Sequence, residues 1–254
     1  MVVVHMSAAS DDAKPSSDVA WAAKIYKQQE PARKAVVARK VGHAGFIYTA
    51  VPTIACPSPL VRLGTVTDGG KWMCNPWRVR PNCIIYSFGV GGDNSWEREM
   101  LAVAPTCKTY SFDPNPGFAG IFKNNPNMDF RPYALGPVAN HAQRKATFKS
   151  IQDEFGHKEV DILKVDIEGP EYVILPVILN NQTTSKPICQ IFVEMHQTDK
   201  DTFQGLVKMH EQHGYLMYAR EVLFCGFCSE YSFIHESCLE QFGMKKEDRL
   251  YRMV

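Results

Sequence analysis

The sequence predicts an α/β protein built around a seven-stranded, mostly parallel sheet, preceded by an N-terminal helical extension. From Cys83 onward, strand-like and helix-like segments alternate along the chain, which is typical of parallel βαβ units. The last two strand-like segments, YLMYAREVLFCG and EYSFIHES, have no helical segment between them. We therefore expect an antiparallel hairpin at the C-terminal end of the sheet.

The chain is expected to consist of an arm, an extension and a sheet domain. Residues 1–17 are polar and poor in core-forming side chains, so we expect a flexible arm. Residues 18–60 contain two runs with helical periodicity and form the predicted extension. The sheet domain is expected to occupy residues 61–254. Its opening segment, 61–80, contains a Gly-Gly pair and lies in a proline-rich stretch, which predicts a hairpin or a lid.

The elements of the predicted sheet follow one another in a regular order. Five strand-like segments precede the hairpin: CIIYSFGV, TYSFDPNP, MDFRPYALG, VDILKVDIEG and CQIFVEMH. Four helical segments lie between or after them: SWEREMLAVA, GFAGIFKNN, PEYVILPVILNN and DTFQGLVKMHEQHG. In an open parallel sheet, ligands bind beyond the carboxyl ends of the strands, so the residues at those ends are the candidates for a site.

The first two strand ends favour a nucleotide-like cofactor. The first strand leads into a turn with Gly89, Gly91, Gly92 and Asp93, where glycine lets the backbone approach a ligand closely. The turn does not match G-x-G-x-x-G cleanly, and the absence of Gly-Lys-Ser/Thr argues against a P-loop ATPase. Asp113 ends the second strand 24 residues after Gly89, where an acid can accept hydrogen bonds from both ribose hydroxyls of an adenosine. The alternative is that this aspartate only forms a turn.

The remaining strand ends carry acids and a histidine. Asp166 and Glu168 follow the fourth strand, and Glu194 and His196 close the fifth. Adjacent parallel strands end at the same edge and alternate residues share a side, so we expect these four side chains to lie close together. Ala134, at the third strand end, would flank an adenine.

Two classes of enzyme fit the glycine turn and the acid after the second strand. One is an NAD-dependent dehydrogenase, and the other is an S-adenosylmethionine (SAM)-dependent methyltransferase. The C-terminal strand pair favours the second class, because a seven-stranded sheet that ends in an antiparallel hairpin is the plan of the class I, Rossmann-like methyltransferases.

The motifs themselves resemble those of FkbM-like methyltransferases. VDILKVDIEGPEYVIL followed by IFVEMH resembles the FkbM-type signature, in which one strand ends in K-x-D-x-E-G-x-E and the next in v-E-x-H. The N-terminal half, with RLG, DGGKWMC, CIIYSFGVGGDNSWE and CKTYSFDPNP, is similar to the methyltransferase-like domain of eukaryotic proteins related to FkbM. The resemblance implies a class I SAM-dependent methyltransferase domain over residues 61–254, in a group that typically methylates hydroxyl oxygens of natural products or sugars.

The resemblance also implies which residues bind SAM. The implied cofactor-binding residues are Gly89, Gly91, Asp93, Asp113, Ala134, Asp166 and Glu168. The two glycines and Asp93 would cradle the methionine part, Asp113 would bind the ribose, and Ala134 would lie near the adenine. Asp166 would sit beside the methyl group. Glu168 would orient the SAM amine or hold the loop.

Two hypotheses describe the chemistry of methyl transfer to a hydroxyl, whose proton must be removed. In the first, His196 is the general base, and Glu194 or Asp166 orients its imidazole. The alternative is that His196 only hydrogen-bonds to a carboxylate. In the second, Asp166, Glu194 and His196 hold Mg²⁺ or Mn²⁺, which lowers the pKa of the hydroxyl.

Asp68 and Trp72 are the candidate acceptor contacts, with simple packing of the tryptophan as the alternative.

The cysteines allow two readings of the C-terminal region. The eight cysteines are spread along the chain and do not resemble a small disulfide scaffold. Three that lie in or beside strand-like runs are expected to be buried small hydrophobes: Cys83, Cys107 and Cys189. Cys225, Cys228, His235 and Cys238 have ligand types and spacing that could hold zinc. The alternative is an apolar hairpin without a metal.

The charged residues indicate neither a nucleic acid nor a membrane as partner. The formal net charge is +1, and no apolar run reaches the length of a membrane span. Eight basic residues and one acid nevertheless lie between Pro31 and Arg80, which predicts either a solvated basic face or a site for an anionic ligand.

Glu171 falls in the first turn of a helix, where the helix dipole favours a negative charge, so we expect a structural role for it.

Rival functions and locations stay open from the sequence. The expected acceptor is a small molecule or a glycan; the alternatives are a protein or nucleic-acid acceptor, or a non-catalytic SAM-binding domain. The absence of an Asn/Asp-Pro-Pro-Tyr/Trp phrase after the fourth strand argues against amino-group methylation of bases. The N-terminal residues do not read as a secretory signal, so the cytoplasm is the expected location. The secretory pathway is the alternative if a membrane anchor has been removed.

Overall fold

The computed structural model describes residues 50–66, 68–181, 186–196, 198–223 and 228–250. Within these ranges the strands are β1 (Val61–Leu63), β2 (Lys71–Met73), β3 (Ile84–Phe88), β4 (Lys108–Phe112), β5 (Met128–Arg131), β6 (Ala134–Leu135), β7 (Lys145–Ala146), β8 (Ile162–Val165), β9 (Gln190–Met195), β10 (Tyr215–Val222) and β11 (Ser229–His235). The α-helices are α1 (Ser95–Val103), α2 (Phe148–Phe155), α3 (Glu171–Asn180) and α4 (Lys200–Gln212). Short 3₁₀ helices span Pro76–Arg78, Pro116–Phe122, His141–Gln143, Glu236–Cys238, Glu240–Phe242 and Lys246–Asp248.

Seven strands form the central sheet in the order β10-β11-β9-β8-β3-β4-β5. The strands from β9 to β5 are parallel, and β11 lies antiparallel between β9 and β10. The predicted fold class, a mostly parallel Rossmann-like sheet with a C-terminal antiparallel hairpin, is confirmed. The strand order reverses between β3 and β8, and this is the point of the carboxyl edge where open α/β sheets bind ligands.

Both faces of the sheet are covered. On one face, Tyr86 and Phe88 of β3 pack in a core with apolar residues of α2, α3 and α4. On the other face, Ile85 packs in a core with Trp96 of α1 and Phe242 near the C-terminus. Successive strand residues point to opposite faces, so two covered faces require apolar residues at nearly every position. This explains the near-continuous apolar runs in β8 and β9.

Three segments differ from the predicted elements, and one of them, helix α2 (Phe148–Phe155), lies in a stretch for which no element was predicted. GFAGIFKNN, expected to be α-helical, forms the 3₁₀ helix Pro116–Phe122. Its proline and the glycines at 117 and 120 disfavour a regular α-helix. MDFRPYALG, expected to be one strand, divides into β5 and β6 around Pro132, which has no N–H for the ladder. As a result, β6 leaves the main sheet and pairs with β7.

The described residues before β1 run alongside the sheet. The predicted helices at 18–41 lie outside the described residues, whereas residues 50–60 are described and contain no helix. The backbone N–H of Thr53 donates to the carbonyl oxygen of Met217 at 2.7 Å, and Ile54 forms an isolated bridge with Arg249. In the described part of the chain, no helix is long and apolar enough to cross a membrane.

Residues 61–80 contain an antiparallel hairpin, β1–β2, that packs on β11 and β10. The Ser232 hydroxyl of β11 donates to the carbonyl oxygen of Trp72 at 2.7 Å. The hairpin loop reaches the start of α1, where the Gly64 N–H donates to Glu99 at 2.8 Å and the Thr65 N–H donates to Ser95 Oγ at 3.1 Å. The hairpin therefore lies over the carboxyl edge of the sheet, next to the turn between β3 and α1.

The cysteines are bonded in pairs, which corrects two predictions. Disulfides join Cys56 to Cys74, Cys83 to Cys107, and Cys189 to Cys238. Cys83, Cys107 and Cys189 are buried as expected, but they are not free small hydrophobes. The predicted zinc set is wrong, because Cys238 is bonded to Cys189 and Cys228 is also in a disulfide. Of the other two proposed ligands, Cys225 lies outside the described residues and His235 Nδ1 is 2.8 Å from the Ser237 hydroxyl.

The basic segment between residues 31 and 80 does not form a free cationic face in its described part. Arg62 pairs with Glu221 at 3.0 Å, and Arg80 pairs with Asp161. Lys71 is fully buried. The basic residues before residue 50 lie outside the described ranges. Pairing with acids that are distant in sequence accounts for Arg62, Lys71 and Arg80, whereas Arg78 is exposed to solvent.

Candidate active site

The carboxyl ends of β3 and β8 approach each other closely at Gly89. This residue has a φ of 75°, and a Cβ atom there would lie 1.5 Å from the carbonyl oxygen of Asp166. Only glycine fits such a contact. The Gly89 carbonyl oxygen accepts a hydrogen bond from Lys164 Nζ at 3.0 Å. These contacts of Gly89 fix the start of the turn that follows β3. Gly91 and Gly92, further along the turn, are exposed.

Asp113 holds the second strand end against this turn. It is 8% exposed; its Oδ2 accepts a hydrogen bond from the Gly91 N–H at 3.3 Å, and its Oδ1 accepts one from the Asn115 N–H at 2.9 Å. Asp93 is engaged differently, since its carboxylate accepts from the backbone N–H and the hydroxyl of Ser95 at 2.8 and 2.9 Å. The structure thus brings Gly91 and Asp113 together, while Asp93 bonds to Ser95, the first residue of α1.

Ala134 lies at the next strand end. It follows β5, the neighbour of β4, and it is half-buried in the short strand β6. Its N–H donates to the Arg144 carbonyl oxygen at 2.8 Å. The Asp113 N–H donates to the carbonyl oxygen of Arg131, the last residue of β5, at 3.4 Å. Ala134 therefore lies at the same edge of the sheet as Asp113.

Four carboxylates and one ammonium group meet beyond β8, β9 and β11. Asp166 follows β8, and Glu194 directly faces Glu230 in the antiparallel register of β9 and β11. One oxygen from each of these acids and from Asp68 lies within 4.8 Å of the others. Lys71 Nζ, from β2, contacts Glu230 and lies 3.4 Å from Asp166 Oδ2. We call Asp68, Asp166, Glu194 and Glu230 the carboxylate cluster.

Burial and neighbouring charges set the protonation of this cluster. Burial opposes the charge of Lys71, but Glu230 and Asp166 outweigh that effect and raise the pKa of the lysine. Burial also opposes the charge of Asp166, but Lys71 and Lys164 lower the pKa of its carboxyl. Burial, together with Asp166 and Glu230, raises the pKa of Glu194 to about 10. At neutral pH, Glu194 is a neutral acid that can donate a hydrogen bond to the ionised Asp166.

His196 follows β9 and is held by an acid other than the expected ones. Its Nδ1 lies 3.0 Å from Oε1 of the fully buried Glu171, whereas its Nε2 lies 3.5 Å from Glu194. Burial lowers the pKa of His196, but the hydrogen bond and charge of Glu171 and the charge of Glu168 outweigh it, so the pKa is raised. Glu171, expected to be structural only, is the residue that orients this imidazole. Glu194 and Asp166, which the sequence predicts for that role, belong to the carboxylate cluster instead.

Glu168 has a backbone conformation that is uncommon for a residue with a side chain. Its φ is 62°, in the left-handed region, which costs of order 1 kcal/mol or more and is found repeatedly at functional sites. Its side chain is 85% exposed, and its Oε2 lies 3.1 Å from His196 Nε2. The loop after β8 therefore presents one acid, Glu168, to the solvent side of the imidazole. It presents another, Glu171, to the buried side.

The two predicted acceptor contacts in the hairpin lie in different surroundings. Asp68 is exposed and belongs to the carboxylate cluster. The indole N–H of Trp72 donates to Glu221 of β10 at 2.9 Å, and Arg62 contacts the same carboxylate oxygen. In β2, Trp72 alternates with Lys71, so these two side chains point to opposite sides of the strand. Trp72 is engaged in packing the hairpin onto β10.

The predicted metal ligands converge, but their surroundings do not fit a divalent ion. One ligand atom each of Asp166, Glu194 and His196 lies within 4.8 Å of the others. However, His196 has Glu171 at Nδ1 and Glu168 at Nε2. A buried ammonium group, Lys71 Nζ, already lies against Asp166. Lys71 therefore already supplies the positive charge that a hard cation would bring to these oxygens.

Three residues of this site were not identified as functional from the sequence. The sequence predicts only a basic character for Lys71 and a helix-start role for Glu171, and it predicts no role for Glu230. The signal for Glu230 is weak: a carboxylate opens the strand-like segment EYSFIHES, at a polar position of its alternation. A signal also existed for Lys71, which lies between two glycines and a tryptophan in a strand that buries it. Neither signal names a partner, because the partners are distant in sequence.

The fold and the site together define a Rossmann-like methyltransferase plan: a glycine turn, an acid after β4, and polar groups at the ends of β8 and β9. A family model described as Methyltransferase domain (Methyltransf_22) matches residues 16–235. The chain therefore belongs to this methyltransferase family, and the resemblance seen in the motifs is confirmed.

The chain is also similar to curated proteins of two mammals. It is 26% identical over 172 residues to probable methyltransferase-like protein 24 of Rattus norvegicus, which covers 59% of this chain and 46% of that protein. It is 27% identical over 121 residues to probable methyltransferase-like protein 24 of Homo sapiens, which covers 45% of this chain and 32% of that protein. The matched regions thus span less than half the length of these relatives.

Solved structures show a distant likeness. Precorrin-6y C5,15-methyltransferase from Geobacter metallireducens has a TM-score of 0.42 at 14% identity, covering 63% of this chain and 83% of that chain. The fibrillarin pre-rRNA processing protein of Methanococcus jannaschii has a TM-score of 0.44 at 12% identity, covering 70% of this chain and 82% of that chain. The strand order and register described above, rather than these likenesses, define the fold.

Membership of the family implies SAM as the methyl donor, and the residues at the first two strand ends fit such a group. Gly91 has no atom within 4 Å of the position of an added Cβ, so the turn offers open backbone. The nearby carboxylate of Asp113, fixed by two backbone N–H groups, is suited to accept hydrogen bonds from ribose hydroxyls. These residues, with Gly89, are the ones that would hold the cofactor.

Proposed function

We propose that this protein is a SAM-dependent O-methyltransferase that acts on a hydroxyl group of a sugar, a glycan or a small-molecule natural product. The observation that carries the proposal is the setting of His196. Its Nδ1 faces the buried Glu171 at 3.0 Å, and its Nε2 faces the exposed side chain of Glu168. An imidazole that is oriented through one nitrogen and accessible at the other is the usual arrangement of a general base.

The proposed chemistry begins with an acceptor hydroxyl that takes the place of Glu168 at His196 Nε2. The imidazole accepts the hydroxyl proton as the oxygen becomes a nucleophile, and the carboxylate of Glu171 stabilises the imidazolium that forms. SAM, when bound, supplies a methyl group on a positively charged sulfur. Asp166, kept ionised beside Lys71 and hydrogen-bonded by the neutral Glu194, provides a hydrogen-bond acceptor next to the reacting oxygen.

The carboxylate cluster supports a polyhydroxylated acceptor. Carboxylates accept hydrogen bonds, and Asp68 is the exposed member of the cluster, at the mouth of the site. A sugar, with several adjacent hydroxyls, matches this feature.

The proposal is tested with a His196→Ala variant and a panel of glycans and metabolites. We expect release of S-adenosylhomocysteine by the native protein with at least one hydroxyl acceptor. For the variant we expect a loss of about 100-fold or more in kcat/KM, with SAM affinity by calorimetry unchanged. His213→Ala is the control, because that ring lies at the end of α4, 3.2 Å from Asn180. Normal turnover by His196→Ala overturns the base assignment.

The same assay separates the alternatives. Turnover only with protein or nucleic-acid acceptors would show that the acceptor is not a sugar, a glycan or a small molecule. SAM binding without turnover on any acceptor would identify a non-catalytic binding domain.

A further inference from the structure

Lys71 reaches the carboxylate cluster from outside the parallel sheet. It lies in β2, opposite Leu63 of β1, and its side chain is 1% exposed. Met73 is buried on the same side of β2, whereas Trp72 points the other way. The hairpin packs on β11, so the lysine side chain extends into the space between the hairpin and the ends of β8, β9 and β11.

The partners of this ammonium group are the oxygens of the cluster. Lys71 Nζ contacts Glu230 Oε1 and lies 3.4 Å from Asp166 Oδ2. The side chains of Glu230, Glu194 and Asp166 are only 2%, 5% and 13% exposed. A carboxylate this buried, such as the ionised Asp166, needs a compensating cation, because removing a charge from water is costly unless it is paired.

A divalent ion and the Lys71 ammonium would compete for the same oxygens. Hard cations such as Mg²⁺ and Mn²⁺ bind carboxylate oxygens, and four of these lie within 4.8 Å of one another in the cluster. The ammonium group is tethered to β2 and already contacts two of the four acids. To bind, a metal would have to displace a buried side chain and leave its charge unpaired.

We propose that Lys71 is a resident cation that takes the place of a divalent metal at the methyl-transfer site and positions Asp166 for the reaction. The positioning part of this inference rests on the proposed function, whereas the cation part does not. Through Asp166, Lys71 fixes a carboxylate at the end of β8, where that strand meets the glycine turn. The same hairpin carries the exposed Asp68. The ion pair between Lys71 and Asp166 therefore holds both the buried acids and Asp68 in place.

The cation part is tested by metal binding, which needs no knowledge of the acceptor. Mn²⁺ is titrated into the native protein, Lys71→Ala and Lys71→Arg, and free Mn²⁺ is followed by electron paramagnetic resonance. We expect no site in the native protein or in Lys71→Arg. In Lys71→Ala we expect a site that an added Glu230→Gln change weakens by about tenfold or more. Arg62→Ala is the matched control, since it removes a hairpin ion pair outside the cluster and should not create a site.

The positioning part is tested by kinetics on the same variants. We expect kcat of Lys71→Ala to fall by about 100-fold with a smaller change in KM for SAM, because a misplaced group affects the chemical step most. Lys71→Arg, or Mn²⁺ added to Lys71→Ala, should restore part of that loss. Native activity should not change in EDTA.

Two results would overturn the inference. One is a Mn²⁺ site in the native protein that Glu194→Gln or Asp166→Asn removes. The other is a folded Lys71→Ala that neither binds Mn²⁺ nor loses activity. If Lys71→Ala does not fold, the titration of the native protein and Lys71→Arg still decides the cation part. Failure of the proposed function would appear as absent turnover in every variant, with the metal titrations unaffected.

Discussion

Glu171 shows how a single buried carboxylate organises the site at the scale of residues. Its Oε1 accepts the Ile167 N–H and contacts His196 Nδ1, both at 3.0 Å. Its Oε2 has no hydrogen-bond partner. A buried carboxylate is stabilised by a positive neighbour, and an imidazolium is stabilised by the carboxylate in return. This mutual effect is the reason that the pKa of His196 is raised despite its burial.

The pH dependence of the reaction should therefore report on Glu171. A general base acts in its neutral form, so activity should fall as the pH drops through the raised pKa of His196. Glu171→Gln keeps an oxygen for Nδ1–H but loses the charge, so the pKa of His196 should fall. The acidic limb of the kcat/KM profile should move to lower pH, while the plateau falls by about tenfold or more.

The control for this prediction is Tyr172→Phe, which removes only the hydrogen bond from the Tyr172 hydroxyl to the His196 carbonyl oxygen. Its acidic limb should stay in place. An NMR titration of the His196 ring measures the same pKa without turnover. An unchanged ring pKa in Glu171→Gln would contradict the assigned role.

The residues of the site differ in how far the sequence determines them. Asp166 and His196 come directly after the adjacent parallel strands β8 and β9, and Glu194 is the next-to-last residue of β9, so the strand pattern alone predicts that they meet. Lys71 and Glu230 meet them only because the hairpin packs on β11, and no local pattern encodes that contact. The pairing of Glu171 with His196 depends on the turn of the chain after Glu168, which has a positive φ.

At the scale of elements, the β1–β2 hairpin is the part that completes the site. The Cys56–Cys74 disulfide ties the residue after β2 to the segment before β1. The Cys83–Cys107 disulfide joins the residues that precede β3 and β4, at the opposite edge of the sheet. The two bonds close loops of similar length, with sequence separations of 18 and 24, so their effects on the unfolded chain should be similar.

Removing each disulfide by serine substitution should therefore separate stability from activity. Both double variants should lose about 3 kcal/mol of unfolding free energy, measured by denaturant unfolding. Only Cys56→Ser/Cys74→Ser should also lose activity at temperatures where both variants are folded, since its hairpin carries Lys71 and Asp68. Equal activity of the two variants would show that the hairpin is held without its disulfide.

Most elements of the parallel sheet were predictable because strand-like apolar runs and helical patterns alternate along the chain. The exceptions have local physical causes. Glycines and a proline convert the predicted second helix to the 3₁₀ helix Pro116–Phe122, and Pro132 ends β5 early. The disulfides were not predictable, because each pairing depends on tertiary contacts. Cys189 and Cys238 have a sequence separation of 49 and meet only when β11 lies beside β9.

At the scale of the whole molecule, disulfides connect the described chain from one end to the other. They join the segment before β1 to the hairpin, β3 to β4 at their amino ends, and the start of β9 to the C-terminal region. Cys228 is also in a disulfide, and no described cysteine is free. Such bonds persist in oxidising compartments and are reduced by cytosolic thiol systems.

We expect the folded protein to require oxidising conditions for its full stability. Because each of the three described bonds contributes about 3 kcal/mol and 1 kcal/mol corresponds to about 2–4 °C in a chain of this size, dithiothreitol should lower the melting temperature by about 20–35 °C. Alkylation of the unreduced native protein should leave its intact mass unchanged, whereas alkylation after reduction and unfolding should modify the cysteines. Modification of Cys189 or Cys238 without reduction, together with a melting temperature that reductant does not change, would contradict this expectation. The cause of the expected loss is that reduction releases the hairpin and the C-terminal region together, and these two parts cover the same face of the sheet.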